Sequence, residues 1–299
     1  MTDVDPEPSD VPTRVAFQNG QWVAADSLTL PMSDLALTQG VCAVERMRTY
    51  GGRLFRSSMH FHRWSKTLAA LRIEGPTEDE LAEIIDQLMI ANRGWVGGRD
   101  VGVLMIASPG IGAEGPSAAT LVVDLYAIDE VLTLERVNSG TPLVVTSVQQ
   151  PPNESWSRRL KVRSRLHYYL ADLEARDRIN HALGVLLDQD GTVTETSIAN
   201  IVLVDGVRLL SPEPDQILPG VSLQVVRELA AELGLEWREQ RIDPSQLVAA
   251  DEVLLTGTSC GVWFANSIDG SPRRGPGNVY SAIRQAFEAF VGINASRGS

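Results

Sequence analysis

The sequence predicts a mixed α/β fold, and three observations carry that prediction. Strand-like and helix-like patterns occur in both halves of the chain. They do not follow the regular βαβ alternation of a doubly wound parallel sheet. Around 128–142 ("IDEVLTLERVNSGTP") the hydrophobic periodicity lapses, which marks an interdomain linker. The expected organisation is therefore a disordered leader at 1–13, a small N-terminal α/β domain at 14–127, the linker at 128–142 and a larger C-terminal α/β domain at 143–299.

The elements follow in order. "RVAFQNGQWVAA" alternates apolar and polar residues around Asn19-Gly20, the dipeptide of a tight hairpin. Residues 59–73 ("MHFHRWSKTLAALRI") space their apolar side chains as an amphipathic helix. Residues 77–93 do the same, behind a Thr77 cap and an acidic first turn. "VGVLMIAS" and "ATLVVDLYAI" read as buried strands. The second half opens with the strand "LVVTSV" and a proline-rich loop, and a helix follows Lys161. Strands are expected at 183–188 and 200–204, with a turn at Asp205-Gly206. Helices at 221–234 and 279–291 flank a last strand at 252–257.

Composition narrows the function. At 299 residues and 43% hydrophobic content the chain can bury a large core. Its net charge of −12 gives no general electrostatic support to nucleic-acid or anionic-membrane binding. Two cysteines, Cys42 and Cys260, make neither a disulfide framework nor a four-ligand zinc site, and no metal is expected. The acidic, proline-rich start has no signal-peptide pattern, and no apolar run approaches a membrane span, so a cytoplasmic protein is expected.

Two motif matches fail on context. "GIGAEG" (110–115) fits a dinucleotide fingerprint, but Pro116 and a strand follow where a helix is required, so a hairpin loop is expected. "GTSCG" (257–261) fits a hydrolase nucleophile elbow. All four histidines precede it, whereas the triad histidine of that fold comes after the serine. His60 and His62, at i and i+2, lie on different helix faces and read as surface or packing residues.

One residue choice points to chemistry. Of 26 Lys and Arg residues only Lys66 and Lys161 are lysine, and Lys161 sits among Arg158, Arg159, Arg163 and Arg165. Charge alone would be served by arginine. A lysine can lose its proton and become a nucleophile. Neighbouring cations and desolvation would depress its pKa. If Lys161 binds pyridoxal phosphate, the pyridine nitrogen needs a carboxylate, and "VTETSIANIVLV" offers Glu195. The phosphate needs donors. "ILPGVS" runs into a helix and offers the amides of Val221 and Ser222, "TGTS" offers Thr258 and Ser259, and Arg48 would complete the clamp. Lys66 reads as a solvent-facing cation.

These segments, in this order, resemble the class IV aminotransferases, the fold-type IV pyridoxal phosphate enzymes that include branched-chain and D-amino-acid aminotransferases and aminodeoxychorismate lyase. "VERMRTYGGRLFRSSMHFHRW" looks like the family's E-x-x-R strand and H-x-x-R helix, and "LKVRSRLHYYLADLEAR" like its Schiff-base segment. "VTETSIANIVLV", "ILPGVSLQVVRELAAELGL" and "ADEVLLTGTSCGV" complete the series, so the likeness covers about residues 15–290. It implies a two-domain fold with the cofactor at the interface, a homodimer, and small-molecule amino acid and 2-oxo acid substrates. By the same resemblance Lys161 holds the cofactor as a Schiff base and relays the substrate proton, and Glu195 pairs with the pyridine. Arg48, Val221, Ser222, Thr258 and Ser259 bind the phosphate.

The chain departs from the family near the substrate. "LTQGVCAVERMR" puts Gln39, Val41 and Cys42 where the family carries an aromatic, an acid and a glycine. "VGVLMIASPGIG" lacks the R-x-H element of the D-amino-acid enzymes. Leu166 stands where branched-chain enzymes have a tyrosine, and Tyr168 or Tyr169 is the candidate substitute. Gln39, Arg163 and Arg165 are the substrate candidates, the arginines for an acidic acceptor such as 2-oxoglutarate. The favoured activity is an aminotransferase acting on a branched-chain-like L-amino acid. The alternatives are pyruvate elimination of the aminodeoxychorismate lyase type, a D-amino-acid aminotransferase, and a non-catalytic cofactor-binding protein.

Overall fold

The computed structural model describes residues 13–111, 119–273 and 275–296. The leader expected at 1–13 lies outside them except for its last residue. Most of the 110–115 loop lies outside them as well.

The first half forms a six-stranded antiparallel sheet in the order β2-β1-β6-β5-β3-β4. Its strands are β1 (Val15–Gln18), β2 (Gln21–Ala24), β3 (Ala43–Tyr50), β4 (Arg53–Leu54), β5 (Val101–Ser108) and β6 (Thr120–Ala127). The Asn19-Gly20 hairpin is present between β1 and β2. The short helices are α1 (Leu35–Thr38) and α4 (Arg93–Val96), and the long ones are α2 (Ser57–Leu71) and α3 (Glu78–Ala91). The cap expected at Thr77 forms, as a capping box with Glu80. Met47, Val103 and Leu125 of the sheet pack on Trp64 of α2 and on Leu81 and Ile85 of α3, all buried.

The segment expected to be an irregular linker contains α5 (Glu130–Ser139). This helix buries no residue, so no apolar stripe was there to be read. Its caps define it instead: the Asp129 carboxylate accepts from the Leu132 N–H at 2.8 Å, and Gly140 ends it.

The second half builds on a nine-stranded sheet, β12-β11-β10-β13-β14-β7-β8-β9, with β15 added to β14. Its strands are β7 (Thr141–Gln149), β8 (Leu183–Leu187), β9 (Val193–Thr196), β10 (Asn200–Asp205), β11 (Arg208–Ser211), β12 (Glu236–Glu239), β13 (Glu252–Gly257), β14 (Gly261–Ile268) and β15 (Ser271–Pro272). The expected last strand at 252–257 is therefore not the last. A tight turn inside the "GTSCG" stretch returns the chain as β14, which also rules out the strand-to-helix elbow of a hydrolase. The helices are α6 (Leu166–Arg178), α7 (Val221–Glu232), α8 (Pro244–Ala249) and α9 (Asn278–Ser296).

Strand β9 pairs with both β8 and β10, so the sheet curls until it closes on itself. Val185, Val193, Ile201, Leu255 and Trp263 fill one buried cluster. A second cluster, with Val202, Leu254 and Phe264, packs under α7 and α9. The closing pair is Glu195 with Asn200. The two sheets meet where the Val44 N–H donates to the Lys161 carbonyl and the Arg163 N–H to the Cys42 carbonyl, both at 2.9 Å. Those two bonds fix the lysine segment against β3.

Candidate active site

A cavity between the sheets gathers residues from seven separate segments: Val44 and Arg46, Arg63, Tyr126, Lys161 with Arg163, Arg165 and Tyr168, Glu195 to Asn200, Leu218 with Gly220 to Ser222, and Thr256 to Ser259. Of the residues singled out in the sequence, Lys161, Glu195, Val221, Ser222, Thr258, Ser259, Arg163 and Arg165 line it. Lys66 is exposed, as expected.

The Lys161 amine has no hydrogen-bond or ion-pair partner among the described residues. Desolvation pushes its pKa down to about 8, with Arg63 and Arg165 adding repulsion. A cation held this way gives up its proton more readily than a surface lysine. Glu195 is 4% exposed. One of its carboxylate oxygens accepts from the Tyr168 hydroxyl at 2.6 Å. The other accepts from the Asn200 amide at 2.8 Å and the Leu218 N–H at 3.1 Å. Burial pushes this carboxyl up in pKa, against the donors and against Lys161. A cation placed beside it would restore the carboxylate.

The anion cradle is backbone geometry. Gly220 caps α7 without a side chain, leaving the first amides of the helix open at its positive end. A Cβ at Gly220 would lie 2.0 Å from the Asn200 side-chain oxygen, so only glycine lets the loop pass. Across the cavity, the turn of Thr258 and Ser259 contributes amides that have no acceptor among the described residues. The hydroxyls of Ser197 and Thr256 are buried on the same wall without a hydrogen-bond partner. Unsatisfied buried donors of this kind are costly unless a ligand meets them.

Two expected site residues are corrected. Arg48 does not line the cavity. Its Nη1 donates to the Ser259 carbonyl at 2.5 Å, its Nε to the Thr49 carbonyl, and its guanidinium stacks on Tyr50 at 4.2 Å. It therefore braces the 258–259 turn from behind. The E-x-x-R pair is also not a pair, because residues three apart on a strand face opposite sides. Glu45 turns instead to α2, where it accepts two bonds from Arg63 (2.9 and 2.7 Å) and lies 3.1 Å from His60. Arg63, unlike Arg48, reaches the cavity, and its Nη1 donates to the Pro219 carbonyl at 2.7 Å. Gln39 is exposed at the end of α1 and does not line the cavity.

Of the substitutes for Leu166, Tyr168 enters the site while Leu166 and Tyr169 face solvent. Sequence reasoning missed Arg46, Arg63, Tyr126, Ser197 and Thr256. The signal for Arg63 was present in its helical spacing from His60, which puts both on one face. Cys42 and Cys260 are buried, and burial pushes the Cys42 thiol up to about 11, so it stays protonated at neutral pH.

Fold and cavity define a two-sheet α/β protein that brings a desolvated lysine, a buried carboxylate and an uncapped helix N-terminus to the same site. The model of the class IV amino-transferases matches residues 43–268, and the chain belongs to that family. The branched-chain-amino-acid aminotransferase of Salmonella typhimurium is 26% identical over 92% of this chain and 91% of its own. The branched-chain-amino-acid aminotransferase-like protein 2 of Arabidopsis thaliana is 25% identical over 95% of this chain, which spans about half (51%) of that protein's length. A solved branched-chain amino acid aminotransferase from T.th., complexed with N-(5'-phosphopyridoxyl)-L-glutamate, superposes with a TM-score of 0.83 at 26% identity, covering 94% of this chain and 95% of that one. Among the described residues no helix is long and apolar enough to cross a membrane.

Proposed function

We propose that this chain is a pyridoxal phosphate-dependent aminotransferase that moves an amino group between an amino acid and a 2-oxo acid. The observation that carries the reading is the convergence of the Lys161 amine, the Glu195 carboxylate and the open amides at 221–222 and 258–259 on one cavity. The residues fit the cofactor. The orphaned Ser197 and Thr256 hydroxyls and the uncapped α7 terminus suit a phosphate, and Glu195 offers a buried carboxylate to a protonated ring nitrogen. Lys161 would hold the cofactor covalently, Glu195 its pyridine nitrogen, and Arg63, Val221, Ser222, Thr258 and Ser259 its phosphate. When bound, pyridoxal phosphate supplies a carbonyl carbon that takes up the amino group and a ring that accepts electrons from the substrate Cα.

The chain's own residues do the rest. Lys161 takes the proton from Cα and returns it, a role that its lowered pKa favours near neutral pH. Tyr168 and Asn200 hold the Glu195 carboxylate in orientation. Arg48, with Arg284 on the Cys260 carbonyl at 3.0 Å, keeps the 258–259 turn presenting its amides. The named relatives favour a branched-chain L-amino acid as donor, and the L-glutamate adduct of one of them favours 2-oxoglutarate as acceptor. The test is the visible spectrum of the purified protein with pyridoxal phosphate. An L-amino acid should bleach its yellow band and 2-oxoglutarate restore it. A band that no amino acid bleaches, together with pyruvate release from an aminodeoxychorismate-type substrate, would replace this reading with the lyase.

The protein is also proposed to be a cytoplasmic homodimer. Leu166, Tyr169, Leu170 and Leu173 form an exposed apolar stripe on α6 at i, i+3, i+4 and i+7 spacing. Leu166→Glu with Leu173→Glu should weaken self-association by about tenfold or more, read by sedimentation across micromolar concentrations. Unchanged sedimentation would place the partner elsewhere.

A further inference from the structure

The cavity holds more fixed positive charge than its cofactor requires. Arg63 is paired with Glu45, and Arg165 donates to the Ser197 carbonyl and stacks on Tyr168 at 4.5 Å. Arg46 and Arg163 remain. Both line the cavity and both are exposed to its solvent, and neither forms an ion pair among the described residues.

Their placement is specific. Arg46 lies on β3 in register with Leu104 of β5, on the strand face opposite Glu45, so it points away from α2 and into the cavity. Its guanidinium lies 4.2 Å from the Tyr126 ring centre, a platform that limits the motion of an otherwise flexible side chain. The ring itself occupies space kept free by Gly102, where a Cβ would stand 2.0 Å from it. Arg163 is fixed by its backbone bond to Cys42 at the start of β3. The guanidinium of Arg163 is destabilised by desolvation first, then by Arg46 and Arg165. Two like charges brought together, with no ion-pair partner among the described residues, favour an anion between them. The cradle at α7 and the 258–259 turn is a separate anion site formed by other elements.

We propose that Arg46 and Arg163 form the carboxylate-binding subsite for the substrate, with Arg46, held against Tyr126, as its fixed member. A guanidinium meets a carboxylate through two parallel N–H donors, and two guanidiniums can share its oxygens. The inference rests on the aminotransferase reading for the identity of the ligand. The carboxylate is either the α-carboxylate common to every substrate or the distal carboxylate of a dicarboxylic one.

The experiment uses the cofactor-loaded protein and three variants: Arg46→Met, Arg46→Lys and, as a charge control, Arg93→Met, whose exposed arginine does not line the cavity. Because Arg46 is exposed, its removal leaves the core intact. Two readouts are taken, the rise in melting temperature with 4-methylvalerate and with glutarate, and kcat and KM for apolar and dicarboxylic 2-oxo acids. Arg46→Met should raise KM about 30- to 100-fold, mainly without loss of kcat, and abolish the thermal shift, with partial recovery in Arg46→Lys. The visible band should be unchanged. Loss for both ligand types assigns the α-carboxylate, and loss for glutarate and dicarboxylic substrates alone assigns the distal one. Wild-type values in Arg46→Met overturn the proposal. So does loss of the visible band, which would give Arg46 to the cofactor instead. If wild-type protein binds the carboxylates but no donor bleaches its band, the transferase reading fails while the subsite stands.

Discussion

Replacing Lys161 by alanine should lower kcat by at least about a thousandfold, as expected when the group that both attaches a cofactor and moves the proton is lost. The visible band that the cofactor gains on covalent attachment should vanish with it. Lys161→Arg should be as inactive, although it restores the charge, because a guanidinium stays protonated and cannot attack a carbonyl. This separates nucleophile from cation, the question posed by a single lysine among arginines. An added small amine such as methylamine should rescue Lys161→Ala in part, since the cavity around it is unaltered. The pH dependence has a definite sign. With the amine pushed down to about 8, the group is protonated below that value and neutral above it. At pH 7 about one amine in ten is neutral, against about one in 2,500 for an ordinary lysine. Uptake of pyridoxal phosphate by the apoprotein should therefore accelerate as pH rises through about 8 rather than above 10. A midpoint near 10 would show that burial and Arg63 do not act on Lys161 as the geometry requires.

Lys161 and Glu195, which both line the cavity, were legible in the sequence because the roles proposed for them demand a residue type, not a surrounding. The same holds for α3, whose start is written locally in Thr77 and Glu80. What depended on the path of the chain was not legible. Arg48 suits a phosphate by residue type, but the strand places it behind the turn, bonded to the Ser259 carbonyl. Tyr168 reaches the cavity and Leu166 does not because a helix rotates about 100° per residue. Two positions therefore carry a side chain to nearly the opposite face, and Leu166 is left in solvent while Tyr168 reaches Glu195. Helix α5 hid for the opposite reason, having no buried face to print a period into its sequence. Arg46 escaped because nothing in "VERMR" distinguishes a cavity-facing arginine from a solvated one. Only the pairing of β3 with β5, and Tyr126 above Gly102, gives it a place.

The largest loss of stability is expected at Glu45. Its side chain is fully buried, receives a bidentate bond from Arg63 and lies 3.1 Å from His60. Burial opposes its ionisation, but Arg63 and His60 more than offset that, holding the carboxyl well below the usual carboxylate range. Glu45→Gln leaves Arg63 as a buried charge without its partner, which costs about 3–5 kcal/mol by analogy with other broken buried pairs. A urea titration would register this as a lower midpoint. Since Arg63 also holds the Pro219 carbonyl at the entry to α7, cofactor affinity should fall with it. Replacing both members, as Glu45→Gln with Arg63→Met, removes the stranded charge, so the double variant should be more stable than Glu45→Gln alone. Acid provides an independent check. Because the folded pKa is depressed, the unfolded chain takes up a proton at Glu45 first as pH falls. The stabilisation is fully present above the unfolded value of about 4.3 and is lost as pH drops below it towards the folded value. Wild-type stability should thus decline more steeply than that of Glu45→Gln below about pH 4. Parallel declines in the two proteins would mean that Glu45 is not the ionised centre of this cluster.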